Sequence, residues 1–439
     1  MKPTSLFGHI VELLDSFRAS QAPADALAQD FFRRRRYLGS SDRRFIAEVF
    51  FGVIRHFKRL RNLSAQTLTA MGLQPPVAQP SLMFAVAHEL LLKGIPPTTL
   101  RDQIAGLWLA LVPDVDCLLF CEGFSRAQES LPEDPVQRMS IRHSMPAFIV
   151  QQWLDRFGER ETDDLCRTLN EQAPITMRVN TLKTDVRRCR EILQKEGLPV
   201  RRTLLSPVGL TADRRFAAQA LQSFRDGLFE IQDEGSQLLS MMVDPQPGET
   251  VVDACAGGGG KSLHMAALMQ NRGVLIAMDV DERRLKNTSL RAVRAGITLL
   301  HVRHAAADDA QLRDIAGRAD RVLVDTPCTG VGTIRRNPGV KMKLSEELVR
   351  SLVLTQRSLL DRYASFVRPG GQLVYSTCSL LREENEDVVL WFLSSHPEFT
   401  LVPPPPLPGI EGDPMMVTLY PHRSNTDGFF AAIMRRSEH

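Results

Sequence analysis

The chain has 439 residues, 43% of them hydrophobic and 24% charged, with a formal net charge of +3. That length exceeds one ordinary core and implies about two to four domains. The composition is that of a soluble globular protein and excludes a disordered or fibrous chain. No apolar run reaches the roughly 18–20 residues of a membrane span. No contiguous apolar core marks a signal peptide, so a cytoplasmic protein is expected. Seven cysteines, odd in number and scattered, exclude a disulfide framework. Charge is unevenly spread. Residues 1–62 hold 12 Lys/Arg against 6 Asp/Glu, a net of +6, and residues 63–135 hold 3 against 8, a net of −5. The first stretch offers a basic face to a polyanion.

From the N-terminus, Val11, Leu14 and Phe17 open an amphipathic pattern. Phe45, Val49, Phe50, Val53, Ile54 and Phe57 repeat at helical spacing, as do Leu82, Ala85, Val86, Leu90 and Leu91. Gly72 to Pro80 and Gly94 to Pro97 punctuate them. A compact helical domain over 1–130 is predicted, then a polar linker near Gln128–Gln137. A mixed segment follows, read as a small α+β domain over 138–235. It has helices at Pro146–Phe157 and Asp185–Glu196 and strands at Thr176–Asn180, Val200–Leu204 and Leu228–Gln232. Over 236–439 strands and helices alternate: Thr250–Asp253, Lys261–Met269, Gly273–Asp279, Glu282–Ala295, Leu299–His304, Arg321–Asp325, Ser345–Phe366, Gly371–Ser376, Asn385–Ser394 and Phe429–Met434. Such alternation predicts a parallel α/β sheet covered by helices on both faces.

Four motifs fall at predicted strand ends, which in a doubly wound sheet share one crevice. The first is the loop Asp253-Ala-Cys255-Ala256-Gly257-Gly258-Gly259-Gly260-Lys261-Ser262. Glycines let a ligand approach the backbone and its N–H groups near a helix start. Gly260-Lys261-Ser262 matches the end of a P-loop, but the first P-loop glycine would fall on Cys255. A nucleotidase is therefore the weaker reading. The loop fits better as D-x-C-x-G-x-G, a variant of the S-adenosylmethionine-binding loop of class I methyltransferases. The second motif is Asp279, about twenty residues on, suited to accept from ribose hydroxyls; it would serve equally as a helix N-cap before Glu282.

The remaining motifs are Asp325-Thr-Pro-Cys328 and Ser376-Thr-Cys378-Ser379. A buried cysteine is ordinarily a small hydrophobe, which suits Cys117, Cys121, Cys166 and Cys189. Cys328 and Cys378 instead follow apolar strands and sit among turn residues. No neighbouring Cys or His has ligand spacing, so no metal is expected. A thiol beside a methyl-donor pocket suits cytosine C5 methylation. C5 is a poor nucleophile; a thiolate adding to C6 activates it. Asp325 is placed to stabilise the electron-rich adduct. These residues alone do not choose between the two thiols. Arg335-Arg336-Asn-Pro338 is positioned to reach phosphates from the crevice rim. Arg33 to Arg36, and Arg55, Lys58, Arg59 and Arg61, read as solvated helix faces or as phosphate contacts.

At these motifs the chain resembles the RsmB/Nop/Sun family of RNA cytosine-5 methyltransferases, especially the bacterial ribosomal-RNA type. The motifs are Asp325-Thr-Pro-Cys328-Thr-Gly-Val-Gly-Thr-Ile-Arg-Arg-Asn-Pro338 and Thr377-Cys378-Ser379 followed by Glu383-Glu384-Asn385. Arg178-Val-Asn-Thr-Leu-Lys183, Phe229–Gln237 and Phe45–Arg55 extend the likeness over essentially the whole chain. The resemblance implies an all-α NusB-like RNA-binding domain, an RRM-like middle domain and a Rossmann-like class I methyltransferase domain. It implies Cys378 as nucleophile and Cys328 as the thiol that aids product release, with Lys261 counted beside Asp325 among the catalytic groups. S-adenosyl-L-methionine is the implied cofactor, held by Cys255 to Lys261, Asp279 and Asp325, with Asp308 or Asp309 beside the adenine and Asp309 preferred. Small-subunit ribosomal RNA is the implied substrate, and a monomer without membrane or metal partners is expected. The competing non-enzyme reading is a NusB-type RNA-binding protein with a decayed catalytic domain. The loop departs from the family's C-A-A-P-G-G-K. Losing its proline and one alanine frees the backbone and should weaken preorganisation.

Overall fold

The computed structural model describes residues 1–75, 80–305, 312–410 and 414–438. It divides into two compact units: Met1–Glu171 with Ile334–Ser345, and Gln172–Thr333 with Glu346–His439.

The first unit is helical. Helix Ser81–Lys93 is buried from Ser81 through Leu90, as expected of a helix apolar on all faces. Helices Pro3–Ala19 and Ser40–Arg55 pack around it with Phe7, Ile10, Leu14, Ile46, Phe50 and Val53 inward. Part of the predicted linker is a helix, Pro135–Arg142. Asp134 caps it by accepting from Gln137 N at 2.8 Å, and Pro135 supplies the preset φ of a first helical position. The stretch Ala147–Asn170 is two helices broken at Gly158 (φ +74°, ψ 178°), so the first ends at Phe157 as the sequence predicts and a second follows it.

The segment Ile334–Ser345 belongs to this unit although its chain neighbours on both sides do not. The buried Lys341 ammonium donates to Arg55 O (2.7 Å), His143 O (3.0 Å) and Asn170 Oδ1 (2.6 Å). Arg335, expected at a crevice rim, is only 4% exposed here, and its carbonyl accepts from Arg55 Nη2 at 2.9 Å.

The second unit holds two sheets. The smaller has β1 (Ile175–Val179), β2 (Val200–Arg202), β3 (Gly209–Ala212) and β4 (Phe229–Ile231) in the order β2-β3-β1-β4, antiparallel throughout. The larger comprises β5 (Thr250–Asp253), β6 (Val274–Asp279), β7 (Leu300–His304), β8 (Ala319–Asp325), β9 (Val367–Thr377), β10 (Phe399–Val402), β11 (Met416–Leu419) and β12 (Phe429–Arg436). Its order is β10-β12-β9-β8-β5-β6-β7, with β11 also on β12.

β5 to β9 are parallel, as the alternation predicts. β12 runs antiparallel to β9, and β10 and β11 antiparallel to β12. The expected all-parallel sheet therefore fails at this edge. The short stretch 420–428 between β11 and β12 makes that pair antiparallel, since a parallel pair needs a crossover of a dozen or more residues. The chain order reverses between β5 and β8, so the ends of these strands border the switch-point crevice. Among the described residues no helix is long and apolar enough to cross a membrane.

Candidate active site

β5 ends at Asp253, which is buried. Its Oδ2 accepts from Ser262 Oγ at 2.6 Å, and its Oδ1 has no protein partner. Burial pushes its carboxyl up to about 7; the Ser262 bond opposes this and the Asp325 charge adds to it. Gly259 has φ +77°, and a Cβ there would lie 2.4 Å from Thr288 Cγ2, so only glycine fits. A Cβ on Gly257 would meet nothing within 4 Å, which leaves the loop open to a ligand.

The Asp279 carboxylate closes the loop's far side. Its Oδ2 accepts from Gly257 N and its Oδ1 from Asp281 N, both at 2.8 Å. The helix N-cap is Asp281, which accepts from Arg283 N and Arg284 N. That displaces the cap reading of Asp279. Each carboxylate oxygen keeps a lone pair for a further donor.

Lys261, in the first turn of helix Gly260–Leu268, donates to Asp325 Oδ2 at 2.6 Å. Burial alone would push this ammonium down. The charge and hydrogen bond of Asp325, with Asp253 and Cys378 nearby, outweigh burial and hold it above its ordinary value. Asp325 Oδ1 accepts from Ser376 Oγ at 2.8 Å, so β8 and β9 are tied at the crevice. The P-loop reading loses its parts here: Ser262 is committed to Asp253 and Lys261 to Asp325. Burial also pushes the Cys255 thiol up, helped by the carboxylates of Asp253, Asp325 and Asp279.

The two motif thiols meet. Cys328 Sγ lies 3.2 Å from Cys378 Sγ, and both are free cysteines. The hydrogen bond to Cys378 and then burial hold the Cys328 thiol well above its usual range. Gly332 N donates to Cys378 O at 2.9 Å, and Gly428 N to Gly332 O at 2.8 Å. A Cβ on Gly332 would strike Gly428 O at 2.1 Å, which restricts the position to glycine.

Residues that stood in the motifs or outside them without an assigned role hold these loops. Glu384 is fully buried and receives donors from both cysteine loops. Arg178 of β1 donates to Gly260 O at 2.7 Å, and Arg291 Nη1 to Gly258 O. Asp308 and Asp309 lie outside the described residues.

The open glycine loop and the Asp279 carboxylate, with a lone pair free on each oxygen, fit a ligand with a hydroxylated ribose.

Comparison with known proteins agrees. Residues 240–435 match the family model "16S rRNA methyltransferase RsmB/F", and residues 145–219 its ferredoxin-like domain. A probable ribosomal RNA small subunit methyltransferase B of Bacillus subtilis is 34% identical over 69% of each chain. The human 28S rRNA (cytosine(4447)-C(5))-methyltransferase is 32% identical over 72% of this chain and 40% of its own. A solved methyltransferase homologue from Pyrococcus horikoshii is 31% identical, with TM-score 0.59, over 70% of this chain and all of its own. With a Rossmann-like sheet, a ferredoxin-like domain and these relatives, the chain belongs to the RsmB/F family of RNA cytosine-5 methyltransferases, enzymes that draw their methyl group from S-adenosylmethionine.

Proposed function

We propose that this enzyme methylates C5 of a cytosine in small-subunit ribosomal RNA through a covalent adduct between Cys378 and C6. The observation that carries the reading is the 3.2 Å approach of two thiols from the ends of β8 and β9. The choice of Cys378 as the attacking thiol follows the family resemblance, with the Cys378 contact and burial keeping the Cys328 thiol above its usual range. Cys378 Sγ adds to C6, and the pair of the C5=C6 bond moves to C5. The base edge meets the Lys261–Asp325 pair, which stabilises the electron-rich adduct. S-adenosylmethionine, when bound, supplies an electrophilic methyl group. After C5 loses its proton, β-elimination restores the C5=C6 bond and frees Cys378, aided by Cys328.

Residues 255–261 cradle the cofactor and Asp279 accepts from its ribose. Asp308 or Asp309 is assigned to the adenine from sequence alone. We read residues 1–130 as the NusB-like RNA-binding part and the enzyme as a cytoplasmic monomer. The Bacillus relative's name supports the ribosomal target.

Two variants test the mechanism. Cys378→Ala should abolish methyl transfer and keep cofactor binding. Cys328→Ala should accumulate a denaturation-stable protein–RNA adduct in the presence of S-adenosylmethionine. A stable adduct from Cys378→Ala and none from Cys328→Ala would reverse the two roles. Bisulfite sequencing of RNA from a deletion strain identifies the target; intact methylation throughout 16S RNA would exclude it as substrate.

A further inference from the structure

Each cysteine is followed by a hydroxyl residue, Thr329 after Cys328 and Ser379 after Cys378. Both converge on one carboxylate. Glu384 Oε1 accepts from Thr329 N at 2.8 Å and from Gln356 Nε2 at 2.9 Å. Its Oε2 accepts from Thr329 Oγ1 at 2.5 Å and from Ser379 Oγ. The two hydroxyls lie 3.2 Å apart. Gln356 Nε2 also donates to Pro327 O at 3.0 Å, so the residues on both sides of Cys328 are held. The backbone around Glu384 is fixed in turn: Tyr375 Oη donates to Glu384 O at 2.5 Å, and Asn385 bridges Thr377 Oγ1 and Ser379 O.

A fully buried carboxylate is costly unless donors saturate it, and four donors do so here. Three of them come from the residues directly after the two thiols. We infer that Glu384 is the positioning residue that sets the separation and aim of Cys328 relative to Cys378. Its task is to keep the release thiol in register with the adduct. That task rests on the covalent reading above; the geometric part does not.

Thiol geometry is read without RNA or cofactor by oxidising the resting enzyme with diamide. The two thiols lose two protons and two electrons to its N=N bond, giving a 328–378 disulfide and a hydrazine, and peptide mass spectrometry times that link alone. Glu384→Ala should slow the link by on the order of 10–100-fold, the scale of an ångström-level misplacement. It should also accumulate the RNA adduct while S-adenosylmethionine affinity stays at the parent value. Glu384→Gln should recover most of both readings, because hydroxyls can turn to accept from its amide. If Glu384→Ala does not fold, Thr329→Val combined with Ser379→Ala removes the hydroxyl donors and gives the same two readings.

Parent rates of disulfide formation and turnover in a folded Glu384→Ala, or in the double variant, would overturn the inference. So would a Glu384→Gln no better than Ala. Slowed disulfide formation in a protein whose Cys328→Ala traps no adduct would keep the positioning role and sink the covalent reading instead.

Discussion

The Arg178 guanidinium donates to the carbonyl of Gly260 at 2.7 Å, joining β1 of the small sheet to the first residue of the helix behind the glycine loop. It also donates to Gln232 Oε1 at 2.5 Å and is 2% exposed. Burial lowers its pKa to about 9, against the pull of Glu230. On the other side Arg291 binds Gly258 O, and Glu230 of β4 accepts from both Arg291 and Arg294. A loop without the family's proline is thus braced from outside by two arginines. Preorganisation that a proline supplies through φ is supplied here by hydrogen bonds to carbonyls.

Arg178→Met should therefore weaken S-adenosylmethionine binding by about 1.5–3 kcal/mol, the scale of a hydrogen bond to a charged group. The Gly260 carbonyl and Gln232 would lose a buried donor while side-chain volume is kept. Calorimetry on the variant measures the change. An unchanged affinity in a folded variant would mean that the loop holds its shape unaided.

Asp253 gives a pH prediction. Burial, above all, pushes its folded carboxyl up to about 7, from an ordinary value of about 4. The neighbouring carboxylates Asp325 and Asp279 reinforce the rise, while Ser262 and Lys261 oppose it. A carboxyl with a raised folded pKa holds its proton longer when folded than when unfolded. Stability then falls as pH rises from about 4 to about 7, by at most roughly 1.4 kcal/mol per unit, and is level above that. Asp253→Asn keeps an acceptor for Ser262 and removes the penalty. In the cofactor-free enzyme the variant should melt higher than the parent at pH 8, with the gap closing towards pH 4. A gap independent of pH would show that Asp253 is ionised throughout.

Why some of this site was legible follows from which residues sit at strand ends. Asp253, Asp279, Asp325 and Cys378 each end or directly follow an apolar β run, and the parallel register then brings Asp325 level with Ser376. Glu384 stood in the quoted motif, but its role was not legible, because an E-E-N-E-D run reads as solvent-exposed and only tertiary packing buries its second member. Arg178, which opens the quoted Arg178–Lys183 stretch, likewise shows nothing locally of its bond to the glycine loop. The edge strands β10 and β11 are four residues each, too short for alternation to register. Nothing local assigns Ile334–Ser345 to the helical unit, since Lys341 and its acceptor Arg55 are 286 residues apart.

The basic N-terminal stretch gives the last prediction, and the structure narrows it. Arg55 donates to Glu171 O and Arg335 O, Lys58 to Ser140 Oγ and Met145 O, and Arg59 to the Glu129 carboxylate. These cations brace the helical unit from within. Arg35 is engaged by Glu12 and lies over the Phe31 ring. Arg33 and Arg34 pair with Asp30 yet remain 75% and 73% exposed, and such surface pairs are worth little. Arg36 is exposed as well. Deleting residues 1–135 would be a poor test, because it removes an acceptor of the buried Lys341 ammonium. Changing Arg33, Arg34 and Arg36 together to Gln leaves those internal bonds alone. If the three contact phosphates, RNA affinity should fall, and the slope of log affinity against log salt should become shallower by about 2, at roughly 0.7 per single-strand contact. S-adenosylmethionine affinity and melting temperature should stay at the parent values. A salt series that overlays the parent's would leave these arginines a solvated face and move the RNA footprint elsewhere.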